Sequence, residues 1–310
     1  MQMKPMVLLR FCLVLAALAA MGGCGRKEAP APAAEGKPST RTAGKLQVFV
    51  TIAPQAYAAR EIAGDHATVS ILVEPGSNPH VYEPTPRQMA NLGQADLYFL
   101  AGVPFEDVLK ERIEAANPKM RLIDTGRGIK LRATLADEAD EDQPTGKASG
   151  MDPHTWLNPL NMKVMASNMA DALIEADANH AADYRRNLSA LSVVLDQLDA
   201  DIRDICKDLK KREFMVYHPA FGYFADAYGL KQIPIEIEGK EPTAQTLAAA
   251  IERAKKDQIK VIFVQPQFSR KSAQAVAEEI GGRVVVADNL AEDYVGNMRN
   301  MASAFVEAMR

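Results

Sequence analysis

Cysteine is scarce in this sequence, with three in 310 residues. Cys12 and Cys24 fall in the first segment, and Cys206 stands alone. No CxxC pair and no HExxH run is present, so no metal site can be read from tight ligand spacing. Histidine is also sparse, at five. Excess positive charge is absent: the formal net charge is −4, with no large basic block, and nothing favours nucleic acid. Beyond the N-terminal segment no apolar run looks membrane-spanning.

The first residues read as a leader rather than as fold. Lys4 and Arg10 flank the start of "FCLVLAALAAM", and the small residues of "MGGCG" lead up to Cys24. A basic start, a short apolar run and a small-residue cleavage site describe a secretory signal over residues 1–23. The run is shorter than the roughly 20 residues a transmembrane helix needs. The placement of Cys24 resembles a bacterial lipobox, which makes it the lipidated first residue of the mature chain. The alternative is an ordinary signal cut nearby, with Cys24 incidental. Residues 24–44 are rich in Pro, Ala, Gly and charge and cannot bury enough surface to fold, so they read as a flexible tether. With Cys12 removed and Cys24 acylated, Cys206 has no intramolecular partner and reads as a half-buried helix residue.

The body from Lys45 to Arg310 alternates strand-like and helix-like runs. "LQVFVTI", "ATVSILV", "DLYFLAG" and "RLIDT" read as strands of one β/α lobe. "FMVYHP", "KQIPIEI", "VIFVQP" and "RVVVAD" read as strands of another. Thr85 with Pro86, and Asn158 with Pro159, carry the signature of helix starts. Between the lobes, Tyr184, Leu188, Leu191, Leu195, Leu198, Ile202, Ile205 and Leu209 recur at alternating spacings of four and three. That is one amphipathic helix, read over 180–211, on the order of 45–50 Å long at ~1.5 Å per residue. It is read as a spine between lobes rather than a coiled-coil arm. The expected fold class is therefore α/β, with two lobes of mostly parallel sheet joined by one long rigid helix. The boundaries are 45–178 for the first lobe, 179–211 for the helix and 212–310 for the second lobe. The segment 131–150, with its acidic cluster Asp137–Asp142, reads as a solvated surface loop.

Three histidines share a setting. His80 sits in "GSNPHVYEPTPRQ" after a strand, His154 in "DPHTWLNP" before a helix, and His218 at the end of "FMVYHP". Each has a neighbouring proline that limits its backbone, and each lies where sheet proteins place ligands. Asp288 closes "RVVVAD" in the position equivalent to His218. Three imidazoles and a carboxylate make a zinc-compatible set, whereas manganese and magnesium favour more oxygen. Histidine must be neutral to ligate, so metal binding below neutral pH releases protons. Glu83, on the His80 loop, is open between a carboxylate supporting a ligand, an alternative ligand and a surface charge. His66 and His180 read as solvated surface residues.

Taken together, "GSNPHVYEPTPRQM", "MDPHTWLNPLN", "VYHPAFGYFADAYGL", "VQPQFSRKSAQAVAEEIGG" and "ADNLAEDYVGNMRNMASAF" extend the pattern across the body. With the lipobox and the long helix, they resemble the cluster A-I zinc/manganese substrate-binding proteins of ABC transporters. The resemblance implies a metal held in a cleft between two lobes, by His80 and His154 from the first and by His218 and Asp288 from the second. Histidine at the third position is typical of zinc binders in that family, and glutamate of manganese binders. The 131–150 loop departs from many zinc-binding members in lacking histidine.

The implied protein is a monomeric, lipid-anchored receptor outside the cytoplasmic membrane. It captures Zn²⁺, with Mn²⁺ as the alternative, and delivers it to a membrane permease driven by a cytoplasmic ATPase. It performs no bond chemistry, and a rigid linking helix confines release to small lobe shifts and loop rearrangement. Two readings from other classes stand beside it. One is a zinc hydrolase, for which no general base is recognisable. The other is a surface adhesin, which the tether would serve equally well.

Overall fold

A computed structural model describes residues 44–134, 150–236 and 241–310. The segment read as a signal, Cys24, the segment read as a tether up to residue 43 and the acidic cluster Asp137–Asp142 lie outside the described residues. Among the described residues two four-stranded sheets are present, and every pairing between their strands is parallel. The first contains β1 (Leu46–Val50), β2 (Ala67–Ile71), β3 (Leu97–Leu100) and β4 (Arg121–Asp124) in the order β2-β1-β3-β4. The second contains β5 (Glu213–Val216), β6 (Lys231–Pro234), β7 (Val261–Val264) and β8 (Arg283–Val286) in the order β6-β5-β7-β8. Both orders reverse direction beside their first strand. Ligands on such sheets bind beyond the carboxyl ends at that reversal.

Helices fill the connections: α1 (Ala53–Ala63), α2 (Pro86–Leu92), α3 (Pro104–Ala116) and α4 (Pro159–Ala176) in the first half. The second half holds α6 (Gly222–Tyr228), α7 (Ala244–Lys256), α8 (Arg270–Glu279) and α9 (Tyr294–Met309). The start signals work as local chemistry dictates. The Thr85 hydroxyl accepts the Gln88 N–H, and the Gln88 side chain accepts the Thr85 N–H in return. Asn158 accepts the Leu160 N–H, and Pro159 opens α4.

The long helix, α5, runs Ala181–Cys206, 26 residues and ~39 Å. It is shorter than the 180–211 stripe because the chain must turn into β5. The Lys207 carbonyl, which a longer helix would have paired internally, accepts from the Arg212 guanidinium at 3.4 Å. Tyr184, Leu191, Leu195, Leu198 and Ile202 are buried, and Cys206 is fully buried rather than half-buried. The stripe is covered by α1 and α4 on one side and by α9 on another, so α5 is a spine and not a free arm.

One apolar core runs continuously from the first sheet through α5 to α9. A second lies on the other face of the second sheet, beneath α7 and α8. β5 shows why both exist: Phe214 and Val216 face the shared core, while Met215 and Tyr217 face the other. Phe305 of α9 packs against Phe214, Phe221, Phe224 and Phe263. Among the described residues no helix is long and apolar enough to cross a membrane.

Candidate metal site

His80, His154 and His218 meet at one point. Their Nε2 atoms are 3.2 Å apart for His80 and His154, 3.1 Å for His80 and His218, and 3.3 Å for His154 and His218. Among the described residues this is the group whose ligand atoms converge for a metal. Two nitrogens bound at 2.0–2.1 Å to one tetrahedral zinc lie roughly 3.3 Å apart, so the observed spacing fits such an ion.

Each histidine is placed by its own local device. His80 follows β2 in a turn where the Asn78 side chain accepts its backbone N–H at 2.9 Å. Pro79 beside it is buried. His154 precedes the short turn into α4. The Asp152 Oδ1 accepts its backbone N–H at 3.0 Å and faces its ring Nδ1 at 2.7 Å. His218 follows β5, where Gln265 brackets its backbone by donating to its carbonyl at 2.7 Å. Its ring stacks on Phe268 with centroids 4.6 Å apart, and its Nδ1 lies 2.6 Å from Glu236 Oε2.

These two carboxylates settle which nitrogen is free. A ring Nδ1 that donates its hydrogen to a carboxylate presents a lone pair at Nε2. The facing Nε2 atoms of His154 and His218 are then both acceptors and cannot hydrogen-bond one another. Acceptors aimed at a common point are an arrangement for a cation. Burial first, and then the neighbouring His154 and His218, push the His80 pKa down to about 2. Burial also lowers His218, against the opposing pull of Glu236. Both rings are thus held in the neutral, ligating form at neutral pH. Burial works against ionisation of Asp152, yet its bonds to His154 and Arg132 outweigh this and hold its carboxyl below the ordinary range.

The wall around the three rings comes from both halves, with Val103 and Trp156 on one side and Gln267, Phe268, Asn289 and Leu290 on the other. Trp156 Nε1 donates to the Asn289 carbonyl at 2.8 Å, and the Tyr294 hydroxyl donates to the Trp156 carbonyl at 2.6 Å. These bonds pin the halves together beside the site.

Asp288 is not among the converging atoms. Its Oδ1 accepts the Leu290 N–H at 2.9 Å and lies 3.5 Å from the Gln267 side-chain nitrogen. Its neighbour Asn289 lines the pocket instead. Glu83 is exposed on the His80 loop and is also outside the group. His66 and His180 are outside it too, but they are not simply solvated. Their rings stack at 3.8 Å, His66 pairs with Asp183 at 3.0 Å, and His180 pairs with Asp177 at 2.6 Å. Sequence reading passed over Asp152 and Glu236. Asp152 had a signal, since it stands two residues before His154 in "DPH". Glu236 had none, because it reaches His218 only through the pairing of β5 with β6.

Comparison with known proteins bears on the family of this chain. Residues 48–308 match the family described as "Zinc-uptake complex component A periplasmic". The chain is 31% identical over 255 residues to the high-affinity zinc uptake system protein ZnuA of Bacillus subtilis (strain 168), covering 79% of each. A crystal structure of ZnuA superimposes with a TM-score of 0.80 at 38% identity, covering 86% of this chain and all of that one. A ZnuA deletion mutant with zinc bound superimposes with a TM-score of 0.78, also at 38% identity, covering 86% of this chain and 98% of that one.

Proposed function

This chain belongs to the family of periplasmic component A proteins of zinc-uptake complexes, and from that premise we propose that it captures Zn²⁺ at His80, His154 and His218. The observation that carries this reading is the convergence of three Nε2 atoms at zinc spacing, with two of the rings turned by buried carboxylates so that Nε2 presents its lone pair. Imidazole donors favour zinc over manganese, which prefers more oxygen. Asp288 supplies the fourth ligand, leaving its bond to the Leu290 N–H when the ion arrives. Glu83 stays outside the coordination sphere as a surface charge.

The mechanism is binding and release. The buried carboxylates Asp152 and Glu236 face imidazole nitrogens, a placement that suits ligand orientation rather than activation of a water. The lobes are 45–178 and 212–310, with the spine between them. The loaded protein delivers its ion to a membrane permease coupled to a cytoplasmic ATPase. Cys24 carries the lipid that tethers it outside the cytoplasmic membrane, and the protein works there as a monomer. Elemental analysis of the purified protein, with competitive Zn²⁺ and Mn²⁺ titration, tests the metal assignment. Zinc at one ion per chain, preferred over manganese, is expected. A manganese preference would overturn the assignment.

A further inference from the structure

Arg132 belongs to no motif, yet its guanidinium lies directly behind the metal site. Its Nη1 donates to Asp152 Oδ2 at 3.0 Å, while the other oxygen of that carboxylate faces His154 Nδ1 at 2.7 Å. Its Nε donates to Asp226 Oδ2 at 3.0 Å. Asp226 is on α6, the helix that begins four residues after His218. The backbone joins in: the Arg132 N–H donates to the Tyr223 hydroxyl at 3.1 Å, and that hydroxyl donates to the Asp152 carbonyl at 3.0 Å. The Asp152 N–H in turn donates to the Arg132 carbonyl at 2.9 Å.

We infer that Arg132 is a positioning residue for the metal: it ties the carboxylate that orients His154 to the helix that follows His218. The inference rests on the zinc-binding reading above. One planar fork reaches two carboxylates in two halves of the chain through two nitrogens held in fixed relation to each other, a geometry that the flexible ammonium of lysine does not impose. The Arg132 and Asp152 side chains are only 16% and 4% exposed, so the pair is held rather than solvated. An independent feature marks the same spot. A Cβ built on Gly222 would collide with Arg132 Nη1 and with Asp152 Oδ2. The α6 backbone can approach this closely only because residue 222 has no side chain. The spacing between His154 and His218 is therefore set by the Arg132 bridge as well as by the rings.

The test measures zinc affinity by chelator competition and the visible absorption of the Co²⁺-loaded protein. The spectrum reports the coordination of the folded fraction, which a simple loss of stability does not alter. Arg132→Gln is expected to weaken zinc about tenfold to hundredfold, as removal of a partner behind a ligand does, and to change the cobalt bands. Arg132→Lys should fall in between. Gly222→Ala keeps the arginine but pushes it away, and should weaken zinc by about tenfold or more. Asp226 is 61% exposed, so Asp226→Asn keeps the fold and should weaken zinc by roughly two- to fivefold, the scale of an exposed ion pair. Arg132→Gln and Gly222→Ala within twofold of the unaltered protein, with unchanged cobalt spectra, would overturn the inference. Unaltered affinity in Asp226→Asn would also overturn the tie to α6. Failure of the zinc reading is distinguishable, since the unaltered protein itself would then hold no zinc and His154→Ala would change nothing.

Discussion

His218 Nδ1 lies 2.6 Å from Glu236 Oε2. Glu236 is itself 1% exposed, two residues beyond the end of β6, the strand beside β5. That contact fixes the ring's tautomer and orientation, and it raises the ring's basicity as a ligand. Glu236→Ala should therefore weaken zinc binding by about tenfold to hundredfold without removing any ligand. Glu236→Gln, which can still accept from Nδ1–H, should lose less. Chelator competition on the two variants checks the order.

The metal-free protein should lose stability in acid through the same rings. Burial and neighbouring imidazoles push the His80 pKa down to about 2, and His218 shifts in the same direction. An unfolded imidazole titrates near pH ~6.5. Below that pH the unfolded chain binds protons that the folded chain refuses, so stability falls as pH drops from about 6.5 toward 2. Burial pushes Glu106 the other way, up to about 7. Its contribution is complete below the unfolded carboxyl value and is lost as pH rises toward 7. The comparison that isolates His80 is denaturant unfolding at pH 7.5 and 5 for the unaltered protein and for His80→Ala. A smaller acid loss in the variant is expected, and equal losses would reject the assignment.

Glu106 offers a test of the scaffold. Its carboxylate accepts the Ala101 N–H at 2.8 Å, the Gly102 N–H at 2.8 Å and the Val103 N–H at 3.2 Å, and it also accepts the Thr51 hydroxyl. Val103 is part of the wall around the three histidines. In Glu106→Gln an amide nitrogen must face donors, leaving a buried N–H unmatched. A loss of about 1–3 kcal/mol in unfolding free energy is expected, measured by denaturant titration of the metal-free protein.

Phe305 sits fully buried among four other phenylalanines where α9 crosses the second sheet. Phe305→Ala should cost about 3–5 kcal/mol. Because that core is continuous with the first sheet, the loss should appear as one cooperative transition, with no separate melting of the second half. Calorimetry distinguishes the two.

Much of this fold is written locally. Runs such as "LQVFV" and "VIFV" name their strands, and Thr85 and Asn158 name their helix starts. The end of α5 is not written there, because Leu209 continues the apolar spacing while the Arg212 guanidinium takes up the Lys207 carbonyl. The three converging histidines are legible because each stands beside a proline in a connection, His80 after β2, His154 before α4 and His218 after β5. Glu236 and Arg132 are not legible, since strand order brings Glu236 to the His218 ring and the packing of α6 brings Arg132 between Asp152 and Asp226. The stacking of His66 on His180 has the same origin: the turn after α1 meets the start of α5.

The most direct test of the central claim is X-ray absorption at the zinc edge of the loaded protein. The account predicts three imidazole nitrogens at about 2.0–2.1 Å with one oxygen. A shell containing sulfur, or one with fewer than three imidazoles, would contradict it.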